Sequence, residues 1–204
     1  MKLKEVLIRG VGALALAVIL APPSGALSLK RADLDNLVAG NSVIVVASVD
    51  GASSYHGSGT KFILTDFRLT VQQVLKGSVS GTFPITMMGG TVGDYTTLIP
   101  GGAILIPGRT YVLFLRSEAL PGTRGVTTVA EHTQGVFDIS VVNGVKWAVS
   151  QAAGMALIPG EDDEGEEEEF PDVPGGAEGM SLDQLVREIQ SRVKETAGGE
   201  EVQR

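Results

Sequence analysis

Along most of the chain, apolar and polar residues follow the two-residue period of a strand, and the wider spacing of a helix occurs only near the two ends. Near the start, Leu29, Leu34, Leu37 and Val38 share one side of a short helix, with Ser28 placed to cap it and Gly40 to stop it. Ser42 to Val49 reads SVIVVASV, β-branched and too short for a buried helix, which predicts a central strand covered on both faces. The polar, Gly-rich stretch Asp50 to Gly59 reads as a loop. From Lys61 to Leu75, Phe67, Leu69 and Val71 alternate with Asp66, Arg68, Thr70 and Gln72, and the alternation slips by one over Gln72 to Leu75, as a bulge would cause.

Thr82 to Met88 is the next predicted strand. A long Gly- and Pro-rich loop follows from Gly89 to Gly108, with a short strand expected at Ala103 to Ile106. Tyr111 to Leu115 (YVLFL), Val126 to Ala130, Val136 to Val142 and Val145 to Val149 complete the series. Asn143 and Gly144 join the last two, a pair suited to a two-residue hairpin because both positions need positive φ. Short strands between Gly-rich turns, with helices only at the ends, predict a mainly β fold, a closed or partly closed antiparallel barrel. Its expected interior is Val43, Val45, Phe67, Leu69, Val71, Val112, Phe114 and Phe137. Trp147, in phase with Val145 and Val149, is expected to be a core or barrel-closing residue, with a ligand platform as the rival reading.

The two ends add compartment and a tail. Lys2, Lys4 and Arg9 precede an apolar run from Val11 to Ala21, and Pro22 to Ala26 then supply a helix break and small residues, the pattern of a cleavable signal peptide over 1–26. The run is shorter than the roughly 20 residues that span a bilayer. Export to the periplasm or the exterior is expected, with cleavage near Ala26 and no membrane attachment afterwards. The absence of cysteine excludes disulfides, thiolate metal sites and a lipid-modified N-terminus, so residues 27–159 must fold on an ordinary apolar core.

From Gly160 to Gly179 the chain turns to Glu, Asp, Gly and Pro, which predicts a disordered acidic linker with weak cation association at most. Over 180–204 a terminal helix is expected. Ser181 and Gln184 form a capping-box pattern, Leu182, Leu185, Val186, Ile189 and Val193 make an apolar stripe, and Gly198 and Gly199 stop it. The stripe either packs back on the strands or binds a partner.

Charge matters once it is placed. Losing Lys2, Lys4, Arg9 and Glu5 with the signal takes the 16 basic and 24 acidic residues to 13 and 23, and nine of those acids lie between Glu161 and Asp172. The rest is nearly neutral, without the basic clusters of a nucleic-acid surface.

The succession LDNLVAGNSVIVVASV, ILTDFRLTVQQVLKG, MMGGTVG, PGRTYVLFL, QGVFDI and SLDQLVREI resembles a group of exported bacterial β-domains. In these, an IVVGxV strand is followed by TxxxxxVxxVLKG, a GG loop and a GExYVLFL strand. The resemblance spans Leu34 to Ile139 and, more weakly, the terminal helix, and implies a barrel similar to the oligonucleotide-binding (OB-like) type, in the branch of netrin-like modules and tissue inhibitors of metalloproteinases. It also implies an exported protein or a peptidase as a partner. Those inhibitors engage zinc through an N-terminal cysteine, which this chain lacks, and the usual Gly-Glu before YVLFL is Gly108 and Arg109 here.

No catalytic, cofactor or metal site is assigned from the residues. His56, in SSYHGSG, has no carboxylate or second His close in sequence. Glu131 and His132 are the strongest acid-base pair, but a zinc site takes three or four such ligands and the chain has two histidines. No G-x-S-x-G elbow occurs, and Gly89, Gly90 and Gly93 match a tight turn, with no phosphate-binding pattern. The expected function is an exported, non-enzymatic binding or accessory module. The alternatives are a hydrolase or metal-dependent enzyme built from His132, Glu131 and Asp66, and a peptidase-associated inhibitor-like domain. Side chains that converge on one hollow would favour an enzyme, and scattered ones a binding module.

Overall fold

Strand β2 (Val43–His56) is the axis around which the rest is arranged. The computed structural model describes residues 29–30, 32–153, 157–158, 172–173 and 177–201, so the expected signal segment and the acidic run Glu161 to Glu169 lie outside the described residues. In chain order the elements are β1 (Leu29–Lys30), α1 (Leu34–Gly40), β2, β3 (Ile63–Lys76), β4 (Thr82–Met88), β5 (Gly90–Val92), β6 (Tyr95–Thr97), β7 (Thr110–Glu118) and β8 (Val126–Val129). A 3₁₀ turn (His132–Gly135) leads to β9 (Val136–Val142), β10 (Val145–Ser150), β11 (Leu157–Ile158), β12 (Asp172–Val173), β13 (Ala177–Ser181) and α2 (Leu182–Glu201).

The main sheet is antiparallel, in the order β12-β13-β10-β9-β7-β2-β3-β4, and β8 pairs with the second half of β7 while β9 pairs with its first half. The strand pattern predicts a closed or partly closed barrel; the sheet is antiparallel as expected, but its hydrogen-bonded ladder does not close. Instead the sheet curls until β4 runs alongside β8 without a ladder between them. Four antiparallel steps separate these two strands, so they point the same way.

The predicted double burial of the SVIVVASV strand holds. Ile44 and Val46 face a layer with α1 and α2, whereas Val45, Ala47 and Val49 face the hollow of the curled sheet. Strand β7 divides in the same way but in the opposite phase from that expected. Tyr111, Leu113 and Leu115 point into the hollow, and Val112 and Phe114, with Phe137, pack under the helices. An uninterrupted apolar run carries no phase of its own, which is why YVLFL could not be oriented from sequence. Val45, Phe67 and Leu69 lie inside as expected, with Val43 and Val71 partly buried beside them.

The long β2/β3 hairpin overrides the expected loop at Asp50 to Gly59. Register shifts at Ile44/Val45 and Val46/Ala47 leave Leu75 and Gln72 unpaired on β3, where the alternation slips, and a third shift leaves Asp50 unpaired on β2. Beyond Asp50 the strand continues to His56 with mostly exposed side chains, so polar composition there reflects a solvated arm of the sheet. Asn143 (φ 52°) and Gly144 (φ 79°) form the expected β9/β10 turn.

At the free edge, β4 bonds to β3 through alternate residues. Val71 N–H donates to Gly81 O and Gly89 N–H to Ile63 O, which makes Arg68–Pro84 a non-bonded pair and turns the Pro84 nitrogen outward. The ladder therefore loses no hydrogen bond to proline.

Both helices lie on one face of the sheet. Helix α1 is capped by Asp33, whose Oδ1 accepts from Asn36 N–H at 2.6 Å, so Ser28 is not its cap and Leu29 belongs to β1. Lys76 Nζ donates to Val38 O at 2.6 Å, placing a cation at the helix C-terminus. Ser181 caps α2, its Oγ accepting from Gln184 N–H at 3.2 Å. Leu182, Leu185 and Ile189 are buried against α1 and the sheet, and Arg192 pairs with Asp35, which settles that the stripe packs back on the strands.

Three further expectations change. The helix runs through Gly198 and Gly199 to Glu201, and Ala177 to Gly179, placed in the linker, belong to β13 paired with β10 and β12. Ala148 is the buried residue of β10, while Trp147 is half-buried and Val145 exposed. Among the described residues, no helix is long and apolar enough to cross a membrane.

Candidate functional site

Where the C-terminal ends of β4 and β8 run alongside each other, the hollow of the sheet opens into a cleft of about 420 Å³. This is within the usual range of small-ligand sites. One wall is apolar: Met87 and Met88 end β4, and Leu98, Ile104 and Leu105 come from the loop after β6. That loop contains no strand at Ala103 to Ile106. The Gln151 side-chain amide holds it, Oε1 accepting from Ile104 N–H at 2.8 Å and Nε2 donating to Ile104 O at 2.7 Å. A small hairpin, β5/β6, turns at Gly93 and Asp94 instead, in agreement with the tight turn read at the glycines. Leu98 is 82% and Ile104 66% exposed, forming an apolar lip.

The facing wall is charged. Arg116 reaches Glu131 at 2.7 Å through Nη1 and Glu118 at 3.1 Å through Nε. Burial acts to lower the pKa of the guanidinium, but hydrogen bonds to Glu131 and Glu118 outweigh it and hold the group above its usual value. His132 lines the same wall. Glu131 (φ 48°) and His132 (φ 55°) are consecutive left-handed residues, each costing roughly 1–2 kcal/mol for a side chain of this kind.

The surroundings enforce that backbone. Ala130 N–H donates to Phe114 O at 3.0 Å, Gln134 N–H to Glu131 O at 3.1 Å, and the buried Gln134 side chain accepts from Ala32 N–H at 2.6 Å. Gly135 packs so tightly that a Cβ there would stand 2.2 Å from Ala130 O. Strain held in place this firmly beside a hollow marks a candidate functional site.

The other residues considered from sequence lie apart. Asp66 is on β3 between Thr65 and Phe67, whose side chains line the cleft; its carboxylate accepts from Tyr55 OH at 3.1 Å and Thr86 Oγ1 at 2.7 Å on the opposite side of the strand. His56 is exposed and meets Tyr95 edge-on, ring centroids 6.4 Å apart. Arg109 lies 3.5 Å from Asp138. Among the described residues, no three His, Asp or Glu side chains gather as metal ligands would. Arg116, Glu118 and the loop residues Leu98 and Ile104 were missed in the sequence. The signal for the last two was an aliphatic run in a Gly- and Pro-rich loop.

Tyr111 anchors the base of the cleft loop. Its ring is fully buried and its hydroxyl oxygen accepts from Ile106 N–H at 2.8 Å. Burial pushes the phenol above its ordinary 10.0; the Ile106 hydrogen bond pulls the other way. The unfolded chain therefore ionises first, and this contribution to stability is intact below about pH 10 and lost as pH rises through the folded value. The melting temperature of Tyr111→Phe should fall less steeply above pH 10 than that of the wild type. Equal slopes would show that another group governs the alkaline limb.

Compared with family models, with curated proteins and with solved structures, the chain matches none.

Proposed function

We propose that the chain is an exported, non-enzymatic binding module and that the cleft between β4 and β8 is its ligand site. The observation that carries this reading is the cleft itself, an apolar hollow whose lip keeps Leu98 and Ile104 in solvent at the cost of their burial. Export rests on the charged, apolar and small-residue succession of residues 1–26. The curl that sets β4 beside β8 supports a partly closed, OB-like barrel as the finer description of the sheet. The separation of Asp66 from Glu131 and His132, and the engagement of Glu131 by Arg116, support binding over hydrolysis. The inhibitor-like alternative rests on the strand-pattern resemblance alone.

The methionines provide the test. Titration with 1-octanol, followed by methyl NMR, should shift Met87 and Met88 saturably and leave Met180, buried beneath α2, unmoved. Leu98→Ser combined with Ile104→Ser should weaken that binding by about thirtyfold, since each removes apolar contact worth roughly 1 kcal/mol. Shifts that fail to saturate, or that include Met180 equally, would overturn the reading.

A further inference from the structure

We infer that the occupant of the cleft is a small amphiphile with an aliphatic body and a single cationic head, received by Glu118 and Glu131. This deepens the proposed reading of the cleft as a ligand site and rests on it. The division of the walls sets the first requirement. Met87, Met88, Leu98 and Ile104 offer no hydrogen bond, so what lies against them is aliphatic or aromatic, while the opposite wall demands a polar partner.

Charge sets the second requirement. Among the described residues, the ionic side chains lining the cleft are Arg116, Glu118 and Glu131, two carboxylates against one guanidinium, with His132 beside them. Arg116 already gives Nε to Glu118 and Nη1 to Glu131. Among the described residues, each carboxylate engages one oxygen in these bonds and keeps the other, and the two side chains remain 43% and 45% exposed. The wall therefore has spare acceptors and an excess negative charge. An ammonium or guanidinium head supplies donors to those oxygens and neutralises the excess, whereas a carboxylate head adds a third anion to the same wall.

Three eight-carbon probes that differ only in the head separate the possibilities: octylammonium, 1-octanol and octanoate, each below its micelle concentration and read at the Met87 and Met88 methyls. Octylammonium should bind at least about tenfold more tightly than octanoate, the sum of modest attraction and modest repulsion at half-exposed carboxylates. Octanol should fall between them, and the spread should narrow at high salt. Glu118→Gln combined with Glu131→Gln leaves Arg116 as the excess charge and should reverse the preference toward octanoate, and Arg116→Gln should enlarge the preference for octylammonium. A melting curve on each variant reports folding, and the salt dependence of the wild type decides the matter should a variant not fold. Octanoate binding as well as octylammonium would overturn the cationic head while leaving the ligand site standing. Failure of all three probes to bind would overturn both.

Discussion

Replacing Phe114 by Ala should lower the stability of the protein by about 3–5 kcal/mol, the range for removing a large aromatic ring from a packed interior. Phe114 is fully buried in the layer between sheet and helices, and its ring tilts against Phe137 with centroids 5.9 Å apart. The ring belongs to the middle of β7, whose backbone is hydrogen-bonded on both sides, to β2 at Ile44 and outward to Ala130. Such a site has little freedom to collapse, so the loss should lie toward the upper end. Urea unfolding of the variant checks it. A midpoint close to that of the wild type would mean that the helix-facing layer is not packed as described.

The second large effect is expected on α2. Leu185 is fully buried and shares a cluster with Leu37, Val38, Phe114 and Ile189, so Leu185→Ala should cost about 2–5 kcal/mol. Gln190, exposed on the same helix, is the control: Gln190→Ala should leave stability within about 0.5 kcal/mol. The pair distinguishes a helix that completes the fold from one held in reserve for a partner. Equal, small effects from both substitutions would place α2 outside the cooperative unit.

What was legible in the sequence was whatever local chemistry decides. Asn143 and Gly144 tolerate the positive φ of a tight turn, so the β9/β10 hairpin was found at its true register. The slip at Gln72 to Leu75 was legible because a bulge moves every later side chain to the other face. What was missed is set by contacts between distant segments. The polar arm from Gly51 to His56 is a strand because β3 is there to pair with it. The phase of YVLFL is fixed by two cores that both accept apolar residues.

The site was legible only in part, for the same reason. Glu131 and His132 stood out as an acid-base pair, but their unusual backbone depends on Gly135, Gln134 and Ala32, and no local pattern announces it. Arg116 lies 15 residues before Glu131 and meets it only because β7 and β8 are antiparallel neighbours.

Pro84 bears on how the protein behaves among copies of itself. An open sheet invites another chain to add to its edge, a hazard that grows wherever partly folded copies meet. With its ring nitrogen turned outward in the middle of a seven-residue strand, Pro84 withholds a donor at the point where an incoming strand would take register. A strand adding at this border would find one ladder donor missing at Pro84, which makes the border a poorer template for aggregation than an all-donor edge.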